Sequence, residues 1–285
     1  MLQPHRHGIA RPMIRRPRTC GLLWTSLLAC CLLATPGLTQ ELRGGLTVVG
    51  QGPERAVIEQ LALAFEQAHL GTAVEMQWNH NLRLAEMVRS GAADLAVGGR
   101  EEAGLTATTI AWDGLAVIVN FSNPIKELAK QQVASIFKGT IRDWAELDER
   151  ATGKIYVVLR PDDQQLSAGF EQSLGIVGAA TTKAKHIRFD QGVLSRVSGQ
   201  LDAVSYLSMN AALDAVRFGM SVRTLVIDGV EPGTPTVRSG KYPLKRPVVL
   251  LEPKAPTALA QAFVKFALSP AGQRILSEQY IPLAP

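Results

Sequence analysis

IAWDGLAVIVNFSNP, residues 110–124, is the stretch on which the interpretation of the whole chain depends. Residues 115–119 form an apolar run of strand length, rich in β-branched side chains, that ends at Asn120. Such a run predicts a strand buried on both faces. Ser122-Asn123-Pro124 then interrupts the chain, and a helical pattern follows. We therefore predict that the chain passes here from one lobe of the protein into another.

Strand and helix patterns alternate on both sides of this stretch. Short apolar runs at 46–49, 74–78 and 94–97 predict strands, and apolar residues at three- and four-residue spacing predict the helices between them. After residue 124 further short strands and helices follow. This succession predicts an α/β protein of two lobes with mostly parallel sheets, helices on both faces and hinge strands between the lobes.

The same alternation predicts a division of the chain into segments. We expect residues 41–118 and 225–285 to form the first lobe and residues 119–224 to form the second. Residues 1–40 precede the first predicted strand and have a different composition.

The first forty residues have the features of an export signal. Arg15, Arg16 and Arg18 give a basic segment, and the apolar residues 21–33 follow it. This apolar run is too short to span a bilayer comfortably, and small residues at 35–37 suit cleavage. We expect a periplasmic protein. Residues 27–30 (LLAC) also resemble a lipobox, so Cys30 is either a lipid anchor or an ordinary apolar residue of the signal.

The composition and the motif content of the chain argue against several classes of function. An apolar content of 46% with 19% charged residues is ordinary for a globular protein. Five arginines before residue 19 account for the net charge of +5, so the rest of the chain is close to neutral and no nucleic-acid surface is indicated. All three cysteines precede residue 32, and no metal-ligand spacing or nucleophile motif is present. We expect no metal, no cofactor and no enzymatic activity.

Ligands of open α/β sheets bind beyond the carboxyl ends of the strands. Four turns follow predicted strands, at 50–53, 79–81, 98–100 and 160–165, and helix N-termini there favour an anion. Arg160 and Arg100 offer planar donors to an oxyanion, although each could instead form a salt bridge. The candidate ligand-binding residues are Gln51, Gly52, Asn79, His80, Asn81, Gly99, Arg100, Arg160, Gln164 and Gln165.

Six segments, in the order of a known family, carry a resemblance that spans nearly the whole chain after the signal. The chain resembles the periplasmic phosphate-binding proteins of ABC-type uptake systems, which have the type 2 solute-binding fold. The resemblance implies two lobes that close on a small anion, with Arg160 as the charge anchor. The segments are IAWDGLAVIVNFSNPI (110–125), VASIFKGTIRDWAEL (133–147), KIYVVLRPDD (154–163), AVSYLSM (203–209), SGKYPLKRPVVLLE (239–252) and LSPAGQRILSEQYIPL (268–283).

The predicted site departs from the family pattern. Gly50-Gln51-Gly52 stands where the family has a Gly-Ser-Thr type turn, and Asn79-His80-Asn81 replaces a Ser-Gly turn. Gln164-Gln165-Leu166 stands where a Ser-Gly-Thr run follows the strand-end arginine. Because Leu166 has no hydroxyl group, we expect phosphate to bind more weakly here than in ordinary members.

Three function classes follow, in decreasing order of support. The first is a monomeric solute-binding protein that captures phosphate or another small oxyanion for an ABC permease. The second is a binding module of the same fold that has lost the anion site and contacts a sensor or envelope protein. The third is an enzyme, for which the sequence offers no activated nucleophile or metal set.

Overall fold

The structure is a computed structural model that describes residues 42–161 and 165–283. The predicted signal, the predicted lipid anchor at Cys30 and the candidate residue Gln164 lie outside the described residues. Within the described part, no helix is both long and apolar enough to cross a membrane.

Strands occupy both halves of the described chain. Most are short, and one is unusually long at 15 residues. They are β1 (Gly44–Gly50), β2 (Thr72–Trp78), β3 (Leu95–Gly98), β4 (Thr106–Asn120), β5 (Glu127–Leu128), β6 (Tyr156–Leu159), β7 (Lys185–His186), β8 (Ala203–Ser208), β9 (Val222–Thr224), β10 (Val226–Ile227), β11 (Lys245–Glu252) and β12 (Ile281–Pro282).

Helices connect most of these strands. Gly91 and Gly139 follow two of the helices in left-handed conformations, at φ 76° and 74°, which glycine adopts without steric cost. The helices are α1 (Arg55–Ala68), α2 (Leu84–Ser90), α3 (Lys130–Lys138), α4 (Gln165–Leu174), α5 (Asp190–Gly199), α6 (Met209–Arg217), α7 (Thr234–Arg238), α8 (Ala258–Leu268) and α9 (Pro270–Leu276).

The main sheet has the strand order β2-β1-β3-β11-β4-β8-β6-β7. The pairs β1–β2, β1–β3, β6–β7 and β6–β8 are parallel, whereas β11 and β4 pair antiparallel to their neighbours. The α/β class and the helices on both faces are confirmed. The sheet is mixed and not mostly parallel, because β11 returns antiparallel between β3 and β4.

β4 joins two groups of strands. Its first half, from Thr106 to Gly114, pairs with β11, and its second half, from Leu115 to Val119, pairs with β8. Every residue of the second half is buried, as predicted for residues 115–119. Leu115, Val117 and Val119 belong to one apolar cluster, while Ala116 and Ile118 belong to another on the opposite face.

The two halves of β4 also pack in different cores. Ile110 and Ala111 contact the apolar cluster of α1 and α8, and the second half contacts the clusters of α3, α4, α5 and α6. Residues from Leu225 to Leu244 pack in the same cluster as α3 and α4. The predicted lobe boundaries near residues 118 and 224 stay a prediction.

The sequence patterns missed several features of this fold, among them α7 and the two-residue strands β5, β7 and β12. The first half of β4 and the helices α5 and α6 were not predicted. Thr106, Thr108 and Thr109 lie in the first half of β4, whose first four residues are exposed or half-buried. A strand of this kind lacks the continuous apolar run that identifies the second half.

A buried ionic network fixes the N-terminus of α1 to the sheet. The Arg246 side chain on β11 is fully buried, and its Nε donates to Asp113 Oδ2 on β4 at 3.0 Å. Arg246 also pairs with Glu54, which precedes α1 and is itself buried. Ser208 Oγ donates to Asp113 Oδ1 at 2.7 Å, which adds the end of β8 to the network.

Opposing effects set the charge states in this network. Burial lowers the pKa of Arg246, but the carboxylates of Glu54 and Asp113 outweigh burial and raise that pKa above its ordinary value. Burial raises the pKa of Asp113, and the nearby Arg246 charge opposes that increase. Arg246 is therefore the cation on which both buried acids depend.

Replacement of Arg246 by methionine leaves Glu54 and Asp113 buried without their cation. We expect Arg246→Met to lower the free energy of unfolding by about 3–5 kcal/mol, measured by urea denaturation. Arg55→Met is the control, because Arg55 pairs with Glu59 at 2.7 Å on the surface and should change that energy by less than about 1 kcal/mol. Equal losses for the two variants would contradict the role given to the network.

The end of β1 has no room for a side chain. Gly50 pairs with Trp78 of β2, and a Cβ atom at Gly50 would lie 2.3 Å from the Trp78 ring. We expect Gly50→Ala to lower the free energy of unfolding by about 1–3 kcal/mol in urea denaturation, because the ring must move. A Cβ atom at Gly45 of the same strand meets nothing within 4 Å, so Gly45→Ala should be nearly neutral. A neutral Gly50→Ala would show that the Trp78 ring is free to move.

Candidate functional site

A cavity of about 410 Å³ lies beyond the carboxyl ends of β1, β2 and β6. This is the edge at which α/β sheets hold their ligands. The lining combines polar groups with aromatic and aliphatic surface. It consists of Gln51, Gly52, Pro53, Trp78, Asn79, His80, Arg160, Leu166, Arg188, Phe189 and Asp190.

The turn after β1 forms one side of the cavity. The Gly52 carbonyl oxygen accepts a hydrogen bond of 2.9 Å from Trp78 Nε1. A Cβ atom at Gly52 would lie 2.1 Å from Glu54 Oε2, and Glu54 is held by Arg246. A side chain at position 52 would therefore clash with Glu54 of the buried network. The network thus determines where this turn lies at the edge of the cavity.

The turn after β2 is connected to the turn after β1. Gln51 Nε2 donates to the Leu82 carbonyl oxygen and, at 3.4 Å, to that of His80. Asn79 Oδ1 accepts from the backbone N–H of Asn81 at 2.9 Å. The Gln51 bonds hold the two turns together, and the Asn79 bond lies within the turn after β2. Both use polar groups that the sequence suggested for a ligand.

Arg160 follows β6 at the opposite side of the cavity. Its side chain is only 2% exposed, and it forms an ion pair with Asp190. Arg160 Nη1 also donates to the Arg188 carbonyl oxygen, and Arg160 Nε has no hydrogen-bond partner among the described residues. Burial lowers the pKa of the Arg160 guanidinium to about 10, so the group is cationic at neutral pH.

An aromatic stack supports the backbone at Arg160. The Arg160 N–H donates to Tyr206 Oη at 3.4 Å, and the Tyr206 hydroxyl donates to Ser167 Oγ at 3.2 Å. The Tyr206 ring stacks on Phe170 with centroids 3.7 Å apart. Burial raises the pKa of Tyr206 to about 12, so its hydroxyl stays protonated as a donor. The end of β6 is thereby fixed to β8 and α4.

The structure brings five of the ten candidate residues to this cavity. Gln51, Gly52, Asn79, His80 and Arg160 line it. Four others are described but do not line it, and Gln164 is outside the described residues. Those four are Asn81, Gly99, Arg100 and Gln165.

Each of these four has a hydrogen-bond or ion-pair partner, and for Asn81 it is the Asn79 side chain described above. The Gly99 N–H donates to Gln165 Oε1 at 3.1 Å, which connects the end of β3 to the start of α4. Arg100 pairs with Glu102 at 3.0 Å on the surface and borders a different cavity. Strand position alone does not separate Arg100 from Arg160, because both follow buried strands, whereas the family resemblance singled out Arg160.

Sequence reasoning missed one side of the cavity. Arg188 and Phe189 line it from the segment before α5, and Asp190 lines it as the first residue of that helix. Val193, Leu194 and Val197 are the buried positions of that helix, and their spacing is the signal from which α5 could have been predicted. A helix beginning at Asp190 would have added a fifth turn to the four candidates.

Charge in the cavity comes from groups of both signs. Arg160 and Asp190 balance each other, and Arg188 adds a second arginine. In residues 42–161 and 165–283 no group of three or more His, Cys, Asp or Glu side chains could hold a metal ion. The arrangement can bind a small polar molecule beside Arg160 and the start of α5. Among the described lining residues, none is a nucleophile paired with a base.

Comparison with known proteins agrees with this architecture. A family model of the PBP superfamily domain matches residues 38–271. The phosphate-binding protein PstS of Bacillus subtilis (strain 168) is 26% identical over 254 residues, which cover 86% of this chain and 82% of that protein.

Solved structures with the same fold cover most of the chain. An ABC-type phosphate transport receptor from Vibrio cholerae matches with a TM-score of 0.73 and 23% identity, over 84% of this chain and 100% of that one. A protein from Clostridium perfringens, described as a phosphate ABC transporter substrate-binding protein with bound phosphate, matches with a TM-score of 0.72 and 25% identity, over 85% and 100%. The chain therefore belongs to the PBP superfamily.

Proposed function

We propose that this protein is an extracytoplasmic solute-binding protein that captures a small oxyanion, with phosphate as the first candidate, for an ABC transporter. The observation that carries the proposal is the position of Arg160. A buried guanidinium at the carboxyl end of a strand borders a cavity that is also lined by Asp190, the first residue of α5. The free N–H groups of a helix start and a nearby arginine both attract an anion.

The relatives support phosphate as the ligand class. The Bacillus subtilis relative is a phosphate-binding protein, and both solved structures are described as parts of phosphate transport systems. Each covers more than four-fifths of this chain. Membership of a family of transport proteins also supports a binding role without a catalytic step.

The cavity has fewer free donors than a tight phosphate site needs. Leu166 contributes an aliphatic side chain to the lining, and the Gln51 amide is bonded to the neighbouring turn. Each hydrogen bond to a charged group that is lost costs about 1.5–3 kcal/mol. We therefore expect phosphate to bind more weakly here than in family members with hydroxyl donors at these positions.

Arg160 should be necessary for anion binding. We expect Arg160→Gln to weaken phosphate binding about ten- to a hundredfold in isothermal titration calorimetry, because the variant loses a charge-assisted bond. Arg160→Lys keeps the charge without the planar donor pair and should fall between the wild type and Arg160→Gln.

Arg100→Gln is the matched control for Arg160→Gln. It removes the same charge from an arginine that also follows a strand but borders another cavity, so affinity should not change. Tight phosphate binding by Arg160→Gln, with circular dichroism showing a folded protein, would contradict the placement of the site. If the folded wild type bound no anion at all, the proposal would fail and the partner-binding module would gain support.

Export is part of the proposal and has its own test. We expect the mature protein to start after residue 29 and to lie outside the cytoplasmic membrane, because the basic and apolar segments before that point have the order of an export signal. N-terminal sequencing of the protein from a periplasmic or membrane fraction distinguishes a lipidated Cys30 from a later start. An intact Met1 terminus on cytoplasmic protein would refute export.

A further inference from the structure

Two chemical groups of a single short segment hold the Arg160 guanidinium. The segment is Arg188–Asp190, and we call it the capping segment. Its Arg188 carbonyl oxygen accepts from Arg160 Nη1, and its Asp190 carboxylate pairs with Nη2. Only Nε of the guanidinium has no partner among the described residues. The protein itself thus occupies the positions at which an oxyanion would meet Arg160.

Asp190 differs from Arg160 in its freedom to move. Arg160 is 2% exposed, whereas the Asp190 side chain is 38% exposed and lines the same cavity. Asp190 is the first residue of α5, so its side chain is not enclosed by a preceding helical turn. A partly solvated carboxylate can leave its partner at lower cost than a buried one, because water replaces part of the lost interaction.

An arriving oxyanion would meet a like charge at this position. A carboxylate in contact with the anchor cancels most of its field and repels a second anion at the same donors. Asp190 and the oxyanion compete for the same donor, Nη2 of Arg160. The anion reaches that donor only when Asp190 turns away.

We propose that Asp190 is a built-in competitor of the ligand and sets the protein's affinity for oxyanions by occupying Arg160. This inference rests on the proposed function, since it assumes that Arg160 is the anion anchor. Asp190 is a specificity-determining residue in this scheme. It selects for anions that bind Arg160 strongly enough to displace a carboxylate.

The test is titration calorimetry of Asp190→Asn with inorganic phosphate at low ionic strength. Asparagine keeps an oxygen acceptor for Arg160 and removes the negative charge. The Arg160 guanidinium should therefore keep its position, and its positive charge is no longer balanced by Asp190 in the cavity. We expect affinity to rise about tenfold or more over the wild type. The gain should shrink in about 1 M sodium chloride, because salt screens a partly exposed charge.

Two further variants separate this mechanism from a general charge effect. Asp148→Asn removes the same charge from an Asp–Arg pair on the surface, where Arg150 Nη2 lies 2.6 Å from Asp148 Oδ2, and should leave phosphate affinity unchanged. The double variant Asp190→Asn/Arg160→Gln should lose the gain. If Asp190→Asn does not fold, Asp190→Ser replaces it, with phosphate-dependent melting temperature as the readout.

The outcomes distinguish this inference from the proposed function. Tighter binding by Asp190→Asn than by the wild type, with the gain lost in the double variant, supports the inference. Binding that is unchanged or weaker in Asp190→Asn, while the wild type binds phosphate, overturns the inference and leaves the proposed function standing. If folded wild type and Asp190→Asn both fail to bind, the two proposals fail together.

Discussion

The buried guanidinium of Arg246 connects β11, β4 and the turn before α1, and the cavity depends on this connection. Glu54 forms an ion pair with Arg246, and Gly52 lies directly against the Glu54 carboxylate. Because the Arg246 guanidinium and both acids are buried, none of them can exchange its partner for water, and the turn before α1 is held in one position. This edge of the cavity is therefore fixed by the packing of the sheet and is formed before any ligand binds.

A second arginine occupies the opposite side of the cavity in a different electrostatic setting. Arg246 is fully buried with two buried carboxylates, while Arg160 pairs with Asp190, which is partly exposed, and donates to the Arg188 carbonyl oxygen. The Arg246 network is structural, because removal of Arg246 would leave the buried Glu54 and Asp113 without a cation. Arg160 can exchange its partner, and this difference is why we assign ligand binding to Arg160 and stability to Arg246.

The sequence allowed the α/β class, the buried half of β4 and most elements to be predicted, because each has an apolar spacing of its own. It also placed Arg160 at the end of a buried strand, where the structure has a cavity. The ion pair with Asp190 could not be predicted, because it joins residues 30 positions apart through a helix that was missed. Arg100 illustrates the same limit, since its position after a strand resembles that of Arg160 but its side chain pairs with Glu102 on the surface.

A crystal structure of the protein grown with arsenate, a phosphate analogue whose anomalous scattering locates it, tests the central claim most directly. The account predicts an arsenic peak in the cavity beside the Arg160 guanidinium, with Asp190 turned away from it. An arsenic peak at another position, with the Arg160–Asp190 pair intact, would contradict it.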